Sequence, residues 1–264
     1  MRETRKPILG RFFFRGYRVL ERLTRFLGGA YTGIALGILS QRDQHIVSEL
    51  KYGGETFYWT EEYNKRGLWD WERRAVERYF SECKRVLLIA AGGGREFLAL
   101  RKRGMEVDAF EADPGLVRFA NDLLKKEGLS AEVGLAPWDH CPDGDIRYDG
   151  ALVGWAAYMH IRGRERRVTF LRELRDKLEV GSPLLISFYT RIGKSRYFPI
   201  VAKIGNVPAR ILGRDRVEVG DCMIPNFVHF FNREEIENEL REGGFELLDF
   251  ETAEYGHAIG CAIY

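Results

Sequence analysis

At 264 residues with 45% hydrophobic and 13% aromatic side chains, the chain has material for one or two domains with a buried core, which excludes disordered and fibrous architectures. Lys and Arg (41) nearly balance Asp and Glu (39) for a net charge of +2, so bulk charge gives no case for nucleic-acid binding. Cys83, Cys141, Cys222 and Cys261 are far apart without a C-x-x-C pair, and nothing at the start resembles a cleavable secretory signal, so a reduced cytoplasmic setting is expected.

The charge is unevenly placed. Residues 1–26 hold eight basic side chains against Glu3 and Glu21, leaving 33 basic and 37 acidic for the rest. Arg11, Arg15, Arg18, Arg22 and Arg25 follow spacings of 4, 3, 4 and 3, which put all five on one helical face, with Leu9, Phe12, Phe13, Leu20, Leu23 and Leu27 elsewhere. Such a basic amphipathic helix, residues 1–27, suits peripheral contact with an anionic inner-membrane surface; a helix packed on its own domain with solvated arginines is the plainer reading. The weakly polar run 26–39 reaches roughly 21 Å as a helix, short of the roughly 30 Å of a bilayer core, so no span is expected. Gly29, Gly33 and Gly37 recur every four residues and permit close helix packing, within the chain or across a homodimer.

Residues 1–80 thus read as an N-terminal helical extension with an aromatic connector, in which Tyr58 and Tyr63 are placed to close over a ligand and the tryptophans to pack in a core. From residue 84 strands and helices alternate: strand 85–90, a glycine turn, helix 95–103, strand 106–111, helix 116–127, a short strand near 131–135, strand 150–154, helix 164–178 and strand 183–189. This predicts an α/β fold with a parallel sheet covered on both faces. Residues 190–228 break the rhythm and read as an insertion, a lid or substrate loop carrying Arg191, Lys194 and Arg196. Helix 233–242, strand 245–252 and strand 258–263 close the chain, the last two as an antiparallel edge hairpin.

The sharpest local signal is Val86-Leu-Leu-Ile-Ala-Ala-Gly-Gly-Gly-Arg-Glu96, an apolar strand running into three glycines and a helix start. Backbone there approaches a ligand closely, and the free N–H groups favour a negative or strongly polar group. Glu111 ends the next strand, where a carboxylate accepts from both ribose hydroxyls of an adenosine. Phe97 occupies the third glycine position of a dinucleotide fingerprint, which disfavours a nicotinamide oxidoreductase.

With these residues the stretch 84–264 resembles the class I S-adenosylmethionine-dependent methyltransferases. Their glycine motif looks like Ala90-Ala-Gly92-Gly-Gly94, with Leu88 where an acidic residue often stands and Ala90 at the first glycine position. Glu111, followed by Ala112, resembles the ribose-binding acid. Asp139, preceded by Trp138, resembles the residue that binds the adenine amino group, and Gly154 and Trp155 fall in the fourth-strand motif. The resemblance implies a Rossmann-like seven-stranded, mostly parallel sheet with an antiparallel C-terminal edge strand, spanning 81–264. It implies S-adenosyl-L-methionine as cofactor and methyl transfer, expected at O or N of a small-molecule acceptor or of a lipid-associated one that the basic N-terminal helix would suit.

His160 and Tyr158, after the fourth strand, and His229 after the insertion are the candidate catalytic groups, His160 because its ordinary pKa suits a general base. For each of these the plainer reading is packing. No Asp/Asn-Pro-Pro-aromatic tetrad or Pro-Cys pair supports DNA methylation, and the histidines show no metal-ligand spacing. Aminocarboxypropyl transfer from the same cofactor, or a non-catalytic adenosyl-binding module anchored through the N-terminal helix, stay open.

Overall fold

A computed structural model describes residues 8–130, 132–137, 139–193 and 195–263. In chain order it contains α1 (Ile8–Ile38), α2 (Gln41–Gly54), α3 (Glu61–Lys65), α4 (Asp70–Tyr79), β1 (Arg85–Ile89), α5 (Arg95–Arg101), β2 (Glu106–Glu111), α6 (Pro114–Lys126), β3 (Val133–Leu135), β4 (Gly150–Val153), α7 (Arg164–Lys177), β5 (Pro183–Ser187), β6 (Tyr189–Thr190), α8 (Tyr197–Ile211), β7 (Asp221–Met223), β8 (Phe227–Phe231), α9 (Arg233–Glu242), β9 (Phe245–Glu251) and β10 (His257–Ala262). These elements form two compact units, one of residues 44–192 with 224–264, the other of residues up to 43 with 193–223.

The larger unit is built on a seven-stranded sheet ordered β3-β2-β1-β4-β5-β10-β9. Strands β1 to β5 are parallel, and β10 runs antiparallel between β5 and β9 to complete the C-terminal hairpin. The central strands are apolar on both faces: Val86, Leu87, Leu88 and Ile89 are all buried, as are Ala151, Leu152 and Val153. Unbroken apolar runs of this kind require helices on both sides of the sheet. Asp113 caps α6 by accepting from Gly115 N and Leu116 N, with Pro114 at its first position. The chain winds outward from β1 to β3 and then returns to start β4 on the other side of β1, so the strand order reverses between β1 and β4. In open α/β sheets that reversal leaves a crevice at the carboxyl ends of the strands, where ligands bind.

The smaller unit departs from expectation. The stretch 190–228, read as a lid loop, carries the 15-residue helix α8, packed along the second half of α1 with both helices running the same way. Pro199 falls in the first turn of α8, where proline is tolerated. Gly205 serves the contact itself. A methyl group at Gly33 would lie 2.6 Å from the Val201 carbonyl oxygen, one at Gly205 2.6 Å from the Gly33 carbonyl oxygen, and one at Gly37 would collide with the Gly205 carbonyl. The glycine repeat of α1 is therefore spent on close approach within the chain. Asn206 fastens the following segment, accepting from Val217 N at 3.1 Å and donating to Val217 O at 2.8 Å. Gly37→Leu is expected to separate the two helices, since overpacking a backbone contact costs about 1–3 kcal/mol or more. Amide exchange in α8 is then expected to accelerate by about tenfold or more; unchanged protection would show that the close contact contributes nothing.

Candidate functional site

The site is built at the crevice from the ends of β1, β2 and β4. Leaving β1, the backbone passes through the left-handed region at Ala90 (φ +58°), Gly92 (φ +56°) and Gly94 (φ +100°) before α5 begins. Ala90 thus holds the conformation glycine would supply, at a cost of about 1–2 kcal/mol for an L-residue. A side chain at Gly154 would collide with the Ala90 carbonyl, and one at Gly93 would lie 2.6 Å from the Asn64 amide, whereas Gly92 faces open space. Gly154 and Gly93 are small because protein presses on them, and Gly92 is small where the loop faces outward.

Glu111, at the tip of β2, binds this loop. Its Oε2 accepts from Gly92 N at 2.7 Å, and its Oε1 accepts from Ala112 N at 2.8 Å and Asp113 N at 2.9 Å. Burial raises its pKa against the lowering effect of these three donors. The Glu111 carbonyl accepts from Ala136 N at 3.0 Å, which draws the loop bearing Asp139 alongside. Asp139 is half-buried, 4.0 Å from His140; Trp138 lies outside the described residues.

The connector lies against the glycine loop. Thr60 caps α3, and buried Asn64 donates to the Tyr58 and Thr60 carbonyls at 2.9 Å. Tyr58 and Tyr63 pack edge to face at 5.5 Å, and Trp69 and Trp155 lie 5.7 Å apart. Three buried polar atoms here, Asn64 Oδ1, Trp69 Nε1 and Trp155 Nε1, have no hydrogen-bond partner among the described residues. At the start of α5 the buried Arg95 pairs with both oxygens of Glu72, at 2.6 and 2.7 Å, and with Glu96 at 2.5 Å. Glu96 also accepts from Trp155 N at 3.1 Å. One guanidinium faces two carboxylates, and burial pushes Glu72 up to about 7, so the cluster favours an additional positive charge.

The three catalytic candidates separate. Tyr158 is fully buried and donates to Glu239 Oε2 at 2.7 Å, while Arg167 grips the same carboxylate, so Tyr158 sits in a structural network. His229 is buried on β8, with its ring 4.5 Å from Phe231. Both side chains are buried, Tyr158 at 0% and His229 at 1% exposure. His160 differs. Its Nδ1 lies 2.8 Å from the Phe227 carbonyl, which can only accept, so Nδ1 carries the proton and Nε2 offers a lone pair to the Tyr52 hydroxyl at 2.9 Å. Burial pushes the His160 pKa down to about 4 and that of Tyr52 up to about 12, so a neutral imidazole holds a protonated phenol. Tyr52, which the sequence reading passed over, packs 5.9 Å from Tyr58. The Tyr58 carbonyl in turn lies 2.7 Å from where a Gly93 side chain would begin. Tyr189 and Tyr255 pack against each other at 5.8 Å beside Trp155 and add two more phenols. Arg191 of the expected lid is tied to Glu235 and the Phe230 carbonyl and offers no free cation; Lys194 lies outside the described residues.

Solved structures are similar to this chain in fold. A SAM-dependent methyltransferase from Methanosarcina mazei matches 75% of this chain and 99% of its own, at 19% identity and a TM-score of 0.59. The fold is that of a class I S-adenosylmethionine-dependent methyltransferase. A 1,6-didemethyltoxoflavin N1-methyltransferase from Burkholderia thailandensis, solved with 1,6-didemethyltoxoflavin and S-adenosylhomocysteine, matches 83% of this chain and 86% of its own at 17% identity and a TM-score of 0.57. A sugar N-methyltransferase from Streptoalloteichus matches 82% and 93% at 14% identity and a TM-score of 0.56. The sequence matches no family model and no curated protein. The methyltransferase fold puts the glycine loop, Glu111 and the Asp139 loop side by side at the switch point. Partnerless Asn64 Oδ1 and Trp155 Nε1, with the open face of Gly92, are features that a polar adenosyl ligand fits.

Proposed function

We propose that the chain is an S-adenosylmethionine-dependent methyltransferase acting at an oxygen or nitrogen of a small-molecule acceptor. The observation that carries this reading is the Glu111 carboxylate held at the open face of Gly92. Its Oε2 accepts one N–H and keeps a lone pair for a ribose hydroxyl. Ala112 and Asp139 flank the adenine side, while Ala90, Gly94, Gly154 and Trp155 shape the cleft. The excess carboxylate of the Glu72, Glu96 and Arg95 cluster is a substitute for the acidic residue that Leu88 replaces, suited to an α-amino group. When bound, S-adenosylmethionine supplies a methyl group on a positively charged sulfur, open to in-line displacement.

The protein then needs to orient the acceptor and take its proton. Tyr52 accepts the proton from the acceptor while its own hydroxyl proton passes to Nε2 of His160, leaving the phenol neutral and the charge on a buried imidazolium. Tyr58 and Tyr63 bound the cofactor side, and Tyr189 and Tyr255 supply hydroxyls for a polar acceptor. That the toxoflavin and sugar enzymes named above act on small molecules supports this choice of acceptor class.

The test is S-adenosylhomocysteine release from S-adenosylmethionine across a panel of hydroxyl and amine acceptors, with transferred methyl located by mass spectrometry. Tyr52→Phe and His160→Gln are expected to lower turnover by about a hundredfold while S-adenosylhomocysteine affinity stays within about twofold. Because His160 is held neutral down to about pH 4, turnover is expected to persist through pH 6.5 and fall only toward that value. Unchanged turnover in both variants would remove the proton relay, and transfer of an aminocarboxypropyl group would replace methylation as the reaction.

A further inference from the structure

Along α1 one apolar stripe has no cover among the described residues. Leu9, Phe13, Leu20, Leu27, Tyr31 and Ile38 recur at spacings of 4, 7, 7, 4 and 7, fall within a narrow arc of the helix, and are all exposed, Leu9 to 86% and Phe13 and Tyr31 to 76% each. In the second half of the helix this stripe lies opposite the side bearing Gly29, Gly33 and buried Leu36, which packs on α8. Within this unit the stripe therefore continues past the end of the α8 contact without turning inward. Phe12 and Val19 widen it on one flank and Tyr17 on the other, to roughly half the circumference. Singly exposed apolar residues need no explanation, but a contiguous face of this length does.

The remaining arc carries Arg11, Arg15, Arg18, Arg22 and Arg25, interrupted by exposed Phe14 and Phe26, with Glu21 the single acid among residues 8–27. No helix among the described residues is long and apolar enough to cross a membrane. We propose that α1 docks lengthwise on an anionic lipid surface, its apolar stripe at the acyl boundary and its arginines at headgroup level.

Charge complementarity selects this occupant. An interfacial helix buries its apolar face about 5–10 Å deep. With a helix about 10–12 Å across, the far guanidinium groups stay within about one Debye length of the lipid phosphates at physiological salt. A parallel pairing with a second copy would instead bring two strongly basic segments together without the alternating charges that flank a coiled-coil seam. Its apolar arc is also wider than such a seam uses.

The experiment is co-sedimentation of the full chain with phosphatidylcholine vesicles, with and without about 30% phosphatidylglycerol, at low and high salt. Binding is expected only with the anionic lipid and is expected to weaken as salt rises. Arg15→Gln and Arg18→Gln should each lower partitioning about fivefold, the equivalent of about 1 kcal/mol per basic residue. Leu20→Asp with Leu27→Asp should abolish it, and because both positions are exposed the variant keeps the circular dichroism of the parent. Sedimentation equilibrium of both proteins gives the alternative. A dimer that the Leu20→Asp, Leu27→Asp pair converts to monomer, without vesicle binding by the parent, would make the stripe a self-association surface and overturn the proposal. Equal vesicle binding by parent and stripe variant, or none by either, would overturn it too.

Discussion

Glu111→Ala is expected to eliminate measurable binding of S-adenosylhomocysteine in calorimetric titration. The carboxylate at the open face of Gly92 keeps a lone pair on Oε2 for a ribose hydroxyl, and a charge-assisted hydrogen bond is worth about 1.5–3 kcal/mol. Losing it together with the anchor of the glycine loop weakens binding by about a hundredfold or more. The substitution also strips an acceptor from Gly92 N, Ala112 N and Asp113 N, so Glu111→Gln is the companion variant. It keeps one acceptor oxygen in place and is expected to lose about tenfold. NADH is expected not to bind the parent, because buried Phe97 fills the third glycine position of a dinucleotide loop. Equal affinity in parent and both variants would move the adenosyl site away from β2 and with it the proposed function.

The largest stability effect is expected at Arg167. Arg167 and Glu239 are each about 1% exposed and join α7 to α9, with guanidinium-to-carboxylate distances of 2.7–3.1 Å. Tyr158 donates to the same carboxylate, and the guanidinium lies 5.1 Å from the Phe231 ring centroid. Arg167→Met takes the paired guanidinium from a buried carboxylate, and removing one partner of such a pair costs about 3–5 kcal/mol. For a chain of this size that is about 10 °C in Tm. Replacing the whole network, Arg167→Met with Glu239→Leu and Tyr158→Phe, is expected to recover most of the loss, since exchanging a buried ion pair for apolar packing is often near neutral. If the triple variant melts no higher than the single one, the network contributes shape that apolar side chains do not reproduce.

What the sequence disclosed follows from where the physics is local. The central strands were legible because Val86–Ile89 and Ala151–Val153 are buried on both faces and so read as unbroken apolar runs. Glu111 was legible because the turn after β1 and the end of β2 are fixed by a single βαβ unit. Ala90 fits the same logic, since its backbone takes the left-handed turn although its side chain is not the usual one. What escaped depends on distant partners. The Tyr158 hydroxyl bond to Glu239 was not legible because its acceptor lies 81 residues on. Tyr52 was overlooked because its partner His160 is 108 residues away. α8 was hidden by Pro199, Gly205 and Pro208, residues that read as breakers until the close approach of Gly33 and Gly37 explains one of them.

The pairing of α1 with α8 has a consequence in time. The two helices meet through backbone, yet the ribosome finishes α1 at residue 38 and α8 only at residue 211, an interval of roughly ten to thirty seconds at common elongation rates. Throughout it a 31-residue helix with glycines on one side and exposed aromatics on the other has no mate. At 31 residues the segment exceeds the length below which isolated helices are marginal in water. Nascent chains therefore expose both sides of α1 before the helix that completes its unit has been made.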